Sequence, residues 1–548
     1  MRSLLVMLLA ALAGGSSLFS ASTDPVTVEG GLVSGTDAGG VRAYKGIPYA
    51  APPLGDLRWK EPQPVVPWTG VRKAEAYAQP CMQVTKANGE PSEDCLYLNV
   101  WTAATAGEKR AVMVWIHGGG LNNGAATERR FDGQAWARKG VVLVTVGYRL
   151  GALGYLAHPQ LTAESPHRSS GNYGALDQVA ALKWVQKNIG AFGGDPRAVT
   201  LAGESAGSWS VNALLASPLT KGLFARAIGE SGARLHHDWA TGASLTNTMY
   251  LTESRNGVPS GEQVGLAFAT QLGADSVKAL RAMPADKIIS VPLFDFRRTL
   301  AGPTPPDATN QFYTIEKVDG YLLPTDVRSV FDQRKQHRVP VLVGANDTEH
   351  NSILLEGAGP KTLASYRTRI AWQYGDMVTE YEALYPVKSE ADILQALRDS
   401  ASDHDFLLQM RTWARMTTAA GSKAYLYHFS HVAPNPRTDF KANHMAELEY
   451  VFNNLINPWP YTDVDRRLAD QMSSYWTNFV KTGNPNGSGL PPWTVYDPKN
   501  EPYMELGDSP VPGRHVKQAR LDFQDRWSAR YPAGFAGAAP NQTQSAGR

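Results

Sequence analysis

Ala198-Val199-Thr200-Leu201-Ala202-Gly203-Glu204-Ser205-Ala206-Gly207 is the stretch that decides the fold of this chain. An apolar run of strand length enters two glycines that bracket a serine, and a helix-forming stretch begins at Ala206. A strand that turns into a helix over so few residues forces the middle residue into a strained backbone conformation, which lifts its side chain clear of the sheet. Glycine two before and two after leaves room for the turn, because a Cβ at either place collides with a neighbouring strand or helix. The helix that follows aims its positive N-terminal end at the reacting centre, where an oxyanion forms. Ser205 is therefore a candidate nucleophile, and the rest of the chain has to supply its partners.

Upstream, Asn172 to Ile189 places Leu176, Val179, Leu182, Val185 and Ile189 at spacings of three and four, which predicts an amphipathic helix. Gly190 and the turn Gly193-Gly194-Asp195-Pro196 stop it. Further back, Val141 to Val146 and Ala111 to Ile116 are continuous apolar runs, the mark of strands buried on both faces. Strand, helix and strand in this order imply right-handed crossovers and a mostly parallel sheet, so the fold class is α/β. Ala111 to Ile116 ends in His117-Gly118-Gly119-Gly120, whose bare backbone N–H groups face the C-terminal edge of the sheet and suit an anion.

Nearer the start, Pro25 to Gly35 reads as an antiparallel hairpin around Gly30-Gly31, and Glu93 to Val100 as an alternating strand. Between them, the prolines and glycines of Tyr44 to Trp59 dictate a rigid surface loop.

The chain has 53 basic and 51 acidic residues and a formal charge of +2, so it carries no broad electrostatic footprint for nucleic acid or an anionic membrane. Small or neutral partners are the default. Residues 1–22 read as a secretory signal peptide, with Arg2 at the positive start and Leu4 to Ala13 as an apolar core too short to span a bilayer. This predicts a secreted or periplasmic chain with no membrane anchor. Cys81 and Cys95 are the two cysteines, and an exported chain matures where thiols oxidise, so a disulfide is the expectation. No ligand cluster accompanies them, and no metal is expected. Residues 23–531 read as a single domain, and the Gly-, Ala-, Pro- and Gln-rich tail over residues 532–548 as disordered.

These motifs, in this order, resemble the type-B carboxylesterases, the α/β-hydrolase group that includes bacterial and liver carboxylesterases and the cholinesterases. The matching stretches are Gly46 to Trp59, Glu93 to Val100, His117 to Gly120, Tyr148 to Leu156, Gly171 to Asp195, Gly203 to Gly207 and Gly222 to Gly232, with Tyr475 to Phe479 and Gly483 to Asn486 near the C-terminus. The resemblance implies an α/β-hydrolase fold: a large, mostly parallel central sheet flanked by helices, with helical cap insertions over residues 251–318 and 361–416. It also implies hydrolysis of a small-molecule carboxylic ester, with no cofactor.

By the same resemblance the partners of Ser205 are Glu349 and His444. Glu349 follows the buried run Val339 to Val343 in Gly344-Ala345-Asn346-Asp347-Thr348-Glu349-His350, where Thr348 and His350 replace the family's aspartate and glycine; Asp347 is the competing carboxylate. His444 lies in Ala442 to Phe452, which looks like the family's histidine segment. The backbone N–H groups of Gly119, Gly120 and Ala206 become the oxyanion donors, Glu204 and Ser231 supporting groups, and Arg58 with Glu93 and Arg149 with Asp177 structural ion pairs. A catalytically silent binding protein on the same fold is the alternative reading.

Two features bear on substrate. The segment between Cys81 and Cys95 has no aromatic residue, so a choline ester loses its cation–π partner. After Ser231, Arg234, His236 and His237 would suit an acyl group that bears carboxylates, such as a polycarboxylic ester of the fumonisin toxin type. A solvated loop is the alternative there.

Overall fold

The computed structural model describes residues 21–236, 249–255, 258–291 and 314–530. Residues 1–20 of the expected signal segment and the tail over residues 532–548 lie outside them.

Among the described residues a twelve-stranded sheet runs through the molecule. Its strands in chain order are β1 (Ala21–Ser22), β2 (Thr36–Ala38), β3 (Val41–Pro48), β4 (Tyr97–Thr102), β5 (Arg110–Ile116), β6 (Val142–Val146), β7 (Gly194–Glu204), β8 (Arg226–Glu230), β9 (Val341–Asn346), β10 (Ala424–Phe429), β11 (Pro502–Leu506) and β12 (Pro510–Arg514). In space the order is β1-β2-β3-β4-β6-β5-β7-β8-β9-β10-β11-β12. The block from β6 to β11 is parallel, while β1 to β4 and β12 add antiparallel edges. This is the α/β-hydrolase architecture expected from the sequence.

The topology places the site. β5 has β6 on one side and β7 on the other, so the strand order reverses at β5, and the carboxyl ends of β5 and β7 flank the switch point at which open α/β sheets place their sites. Those ends lead into the glycine run after Ile116 and into Ser205.

Apolar periodicity explains the layers. Val112, Val114 and Ile116 pack on one face with Leu182 and Val185 of α1 (Tyr173–Asn188) and Val211 and Leu214 of α2 (Ala206–Ala216). Met113 and Trp115 face the opposite way, against Met472, Trp476 and Phe479 of α3 (Asp463–Thr482). Alternate residues of one strand thus meet helices on both faces, which is why the strand reads as an unbroken apolar run. Burying each such side chain contributes about 1.5–3 kcal/mol.

Differences from the sequence reading are local. Tyr44 to Pro48, expected to open a surface loop, belong to β3, and Tyr44 and Ile47 are fully buried there. The expected turn at Gly193 to Pro196 is the beginning of β7, whose register against β5 shifts between Gly194 and Val199. The strand expected from Glu93 begins at Tyr97, because Cys95 is held in the Cys81 disulfide and Glu93 pairs with Arg58 at 2.5 Å. The N-terminal hairpin forms, but Val26–Val28 and Gly31–Ser34 join Val71–Lys73 in a separate small sheet. Arg149 and Asp177 pair through two hydrogen bonds of 2.8 and 2.7 Å. The insertions carry their own apolar clusters: Val264, Phe268 and Leu280 pack on Leu153 and Leu156, and Tyr374, Tyr381 and Leu397 pack on Trp527. Among the described residues no helix is long and apolar enough to cross a membrane.

Candidate active site

Ser205 sits between the end of β7 and the start of α2 with φ 55° and ψ −122°, in the left-handed half of the map where a serine is strained. The strain is held from both sides. Ser205 N donates to Glu230 O at 2.8 Å, and Trp209 N donates to Ser205 O at 2.9 Å. The two glycines are needed as anticipated: a Cβ on Gly207 would lie 2.0 Å from Ile116 O, and one on Gly203 would lie 2.5 Å from the Gly207 carbonyl carbon.

The glycine loop after β5 turns back under the serine. Gly119 and Gly120 have φ of 102° and 63°, and Gly119 O accepts from both Asn122 N and Asn123 N at 3.0 Å. Among the described residues the N–H groups of Gly119, Gly120 and Ala206 donate to no protein acceptor. Behind the loop, His117 stacks on Tyr148 with ring centroids 4.5 Å apart.

The structure brings Ser205, His444 and Glu349 together from loops far apart in the chain. His444 Nε2 lies 2.9 Å from Ser205 Oγ, and His444 Nδ1 lies 2.6 Å from Glu349 Oε2. Glu349 is fully buried and its other oxygen accepts from Ser231 Oγ at 2.6 Å and from Asn346 N at 2.7 Å. The two loops are also tied through backbone: Thr348 N donates to Ala442 O at 3.1 Å and His444 N to Glu349 O at 3.3 Å. Phe406 packs on the imidazole with ring centroids 5.0 Å apart.

Asp347 points elsewhere. Its carboxylate is 2.9 Å from Lys517 Nζ and 3.4 Å from His428 Nε2. Burial pushes it upward, but the His428 hydrogen bond and the Lys517 charge outweigh that and hold it well below the usual carboxylate range. The two residues that depart from the family pattern bond away from the site: Thr348 Oγ1 donates to Phe440 O at 3.2 Å, and His350 Nε2 lies 3.1 Å from Asp405.

A pool of buried acids surrounds the imidazole. Glu204 Oε1 lies 3.3 Å from His444 Nε2. Burial would lower His444, yet the charges of Glu204 and Glu349 and the Glu349 hydrogen bond raise it to about 9. Burial raises Glu204 to about 8, and burial with Glu349 repulsion raises Glu447 to about 7. Glu230 is raised well above the usual range by burial and then by Glu447, while accepting from Trp476 Nε1 at 2.7 Å. Acids crowded in one low-dielectric pocket cannot all ionise, so they share protons near neutral pH. Glu230 and Glu447 were given no role in the sequence reading. The signal for Glu230 was present, since it ends an apolar strand register-paired with Glu204 on β7.

The loop after Ser231 departs from expectation. Arg234 is buried and its Nη2 lies 2.5 Å from Glu316 Oε2, so its charge already has an anion. His236 is buried, with Nε2 2.7 Å from Thr412 Oγ1. Neither belongs to a solvated loop, and the Arg234 guanidinium is paired with Glu316. His237 lies outside the described residues.

A sequence model of the carboxylesterase family matches residues 22–524. The chain belongs to the carboxylesterase family. Among similar proteins, a fumonisin B1 esterase of Sphingopyxis macrogoltabida is 35% identical over 491 residues, covering 86% of this chain and 84% of that one. Carboxylesterase 1F of Mus musculus is 33% identical over 523 residues, covering 88% and 89%. Among solved structures, a PNB esterase superposes with a TM-score of 0.74 at 31% identity, covering 91% of this carboxylesterase and 99% of that chain. This carboxylesterase is a carboxylic ester hydrolase, and the alternative of a silent binding protein has no support among these relatives.

Proposed function

We propose that this carboxylesterase cleaves small-molecule esters through an acyl-enzyme on Ser205, with His444 as general base and Glu349 as the acid that orients it. The reading is carried by one observation, the unbroken chain of contacts from Ser205 Oγ through His444 to Glu349, at 2.9 and 2.6 Å. A serine hydroxyl is a weak nucleophile at neutral pH and needs a base within hydrogen-bond reach. As Ser205 Oγ adds to the ester carbonyl, His444 Nε2 takes its proton, and the carbonyl oxygen becomes an oxyanion facing the N–H groups of Gly119, Gly120 and Ala206. Collapse expels the alcohol, which takes the proton from His444. Water then adds to the acyl carbon with His444 again as base, and the carboxylic acid leaves as Ser205 recovers its proton. Glu349 holds the proton on Nδ1 and stabilises the imidazolium. Ser231 supports Glu349 through its hydrogen bond, and Glu204 tunes the charge of His444 from 3.3 Å.

Hydrolysis of p-nitrophenyl acetate and labelling by an organophosphate test this reading. Both should vanish in Ser205→Ala, and activity that survives the substitution refutes it.

A second reading, esters whose acyl group carries carboxylates, is favoured by the relative described as a fumonisin B1 esterase. A panel of esters differing only in acyl charge, assayed for kcat/KM, tests it. Export follows from the charged and apolar N-terminal segment and accords with the Cys81–Cys95 disulfide. N-terminal sequencing of protein recovered outside the cytoplasm tests it.

A further inference from the structure

The residue after Glu349 departs from the family pattern, and its side chain begins a path that ends on His444. His350 is buried, and its Nε2 lies 3.1 Å from Asp405 Oδ2. Burial pushes the Asp405 carboxyl up, but its hydrogen bonds to His350 and His404 outweigh that and hold it well below the usual carboxylate range. An ionised carboxylate only accepts, so Nε2 of His350 is the donor. The other ring nitrogen, Nδ1, is buried and meets no hydrogen-bond partner among the described residues. The bond to Asp405 therefore sets how this ring is turned.

Asp405 belongs to a six-residue π-helical turn, Asp403–Leu408, set between the α-helical stretches Ile393–Ser402 and Gln409–Ala419. Such turns recur at functional sites. This one is pinned from several sides. His350 N donates to Ser402 Oγ at 2.9 Å just before the turn, and Lys517 Nζ donates to Asp403 Oδ1 at 2.8 Å. His404 Nδ1 lies 3.0 Å from Asp405 Oδ1, and His404 Nε2 lies 3.0 Å from Ser528 Oγ on the helix Gln518–Arg530. What the turn presents is Phe406, whose ring centroid lies 5.3 Å from that of His350 and 5.0 Å from that of His444. Both are contact distances for aromatic rings, so one phenyl ring touches both histidines.

Resting on the reading of His444 as the general base, we propose that His350 is a positioning residue for that base: through its bond to Asp405 it fixes the π-helical turn that seats Phe406 against the His444 imidazole. Ser205 and Glu349 hold His444 at its two nitrogens, which leaves the ring able to rock about the line that joins them. A phenyl ring packed on the imidazole stops that motion. Acyl transfer is sensitive to it, since a misplacement of about 1 Å can cost on the order of 100-fold in rate. Glycine, the family's residue after the acid, has no side chain with which to hold the turn.

The test is steady-state kinetics on p-nitrophenyl acetate, with active sites counted by organophosphate titration run to completion. Beside it, proton NMR follows the Glu349–His444 hydrogen bond, whose short N–H···O proton resonates far downfield. His350→Leu, which removes the donor and keeps the bulk, should lower kcat at least fivefold with KM within twofold, and should broaden the downfield signal. His350→Gln, whose amide can still donate to Asp405, should stay within twofold of the unmutated chain. Phe406→Ala should lose as much as His350→Leu, and the double variant no more than Phe406→Ala alone, because both act along one path. A merely structural His350 would lower Tm and leave kcat per active site and the NMR signal unchanged, and that outcome overturns the proposal. So does a loss that falls on KM, losses that multiply in the double variant, or a kcat that His350→Gln does not recover. Where His350→Leu does not fold, Phe406→Ala decides, because kcat within twofold or an unmoved signal overturns the proposal. Ser205→Ala and His444→Ala keep the two readings apart: activity that survives in either refutes the triad itself, whereas their loss beside an unchanged His350→Leu removes only the role of His350.

Discussion

Glu349 Oε2 lies 2.6 Å from His444 Nδ1, while the carboxylate of Asp347, two residues earlier, is 2.9 Å from Lys517 Nζ. Two acids in one short loop therefore serve different partners. Glu349→Gln should lower kcat by about 10³- to 10⁴-fold, because an amide favours the wrong tautomer of His444. Asp347→Asn should leave kcat within about threefold and cost on the order of 1 kcal/mol of stability, a small figure because more than a third of its side chain is exposed and solvent screens the pair. Steady-state kinetics and thermal melts on both variants check this, and the reverse pattern would make Asp347 the acid.

Raised by Glu204 and Glu349 to about 9, His444 should leave its mark on the pH profile. The base works only as neutral imidazole, so kcat/KM should climb with pH up to that region, as a titration coupled to Glu204. Glu204→Gln removes one of the charges that hold the proton on His444 and should move the acid limb to lower pH. A limb that stays in place would show that Glu204 does not tune the base.

Stability should respond to the same groups in the opposite sense. His444 stands at about 9 against 6.5 when unfolded, and Glu204 and Glu447 at about 8 and 7 against 4.5. In each case the folded state binds more protons than the unfolded chain within the window, so stability falls as pH rises through it. The His444 contribution is fully present below pH 6.5 and lost by about 9, and the two glutamates destabilise most once pH exceeds their raised values. Tm should therefore drop between pH 7 and 9, and Glu204→Gln, which removes the glutamate raised into that window, should flatten the drop.

The Cys81–Cys95 disulfide closes a loop with a sequence separation of 14. Constraining the unfolded chain over such a loop contributes roughly 3 kcal/mol in the entropic account. Reduction should lower Tm by a few degrees without changing kcat, since the bridge lies outside the contacts of Ser205. Melts with and without reductant measure it.

The parts legible in the sequence share one physical cause, local pattern. Val112 to Ile116 read as a two-faced strand because each side chain meets a helix, and Gly203 and Gly207 flagged a turn that tolerates no Cβ. His444 and Glu349 needed a resemblance, because no local rule joins residues brought together only by tertiary folding. The Arg234–Glu316 pair could not be read at all. A cationic stretch shows its charge in the sequence, whereas the anion that cancels it came from a segment about eighty positions later, and burial of both is a property of the packed molecule.

The glycine loop supplies the last prediction. Gly119 adopts φ 102°, and a Cβ there would lie 2.1 Å from Asn123 O, the residue whose own N–H closes the turn on Gly119 O. Gly119→Ala must therefore open that turn and swing the Gly119 and Gly120 N–H groups away from the oxyanion they are proposed to hold. Losing one such donor typically costs about 2.7–4 kcal/mol of transition-state stabilisation, or 10²- to 10³-fold in kcat. Nothing in the ground-state contacts of Ser205 or His444 changes, so KM and reactivity toward the imidazole-selective reagent diethyl pyrocarbonate should hold while kcat falls. A variant that keeps its circular dichroism spectrum and retains more than a third of kcat would remove these amides from the proposed oxyanion site.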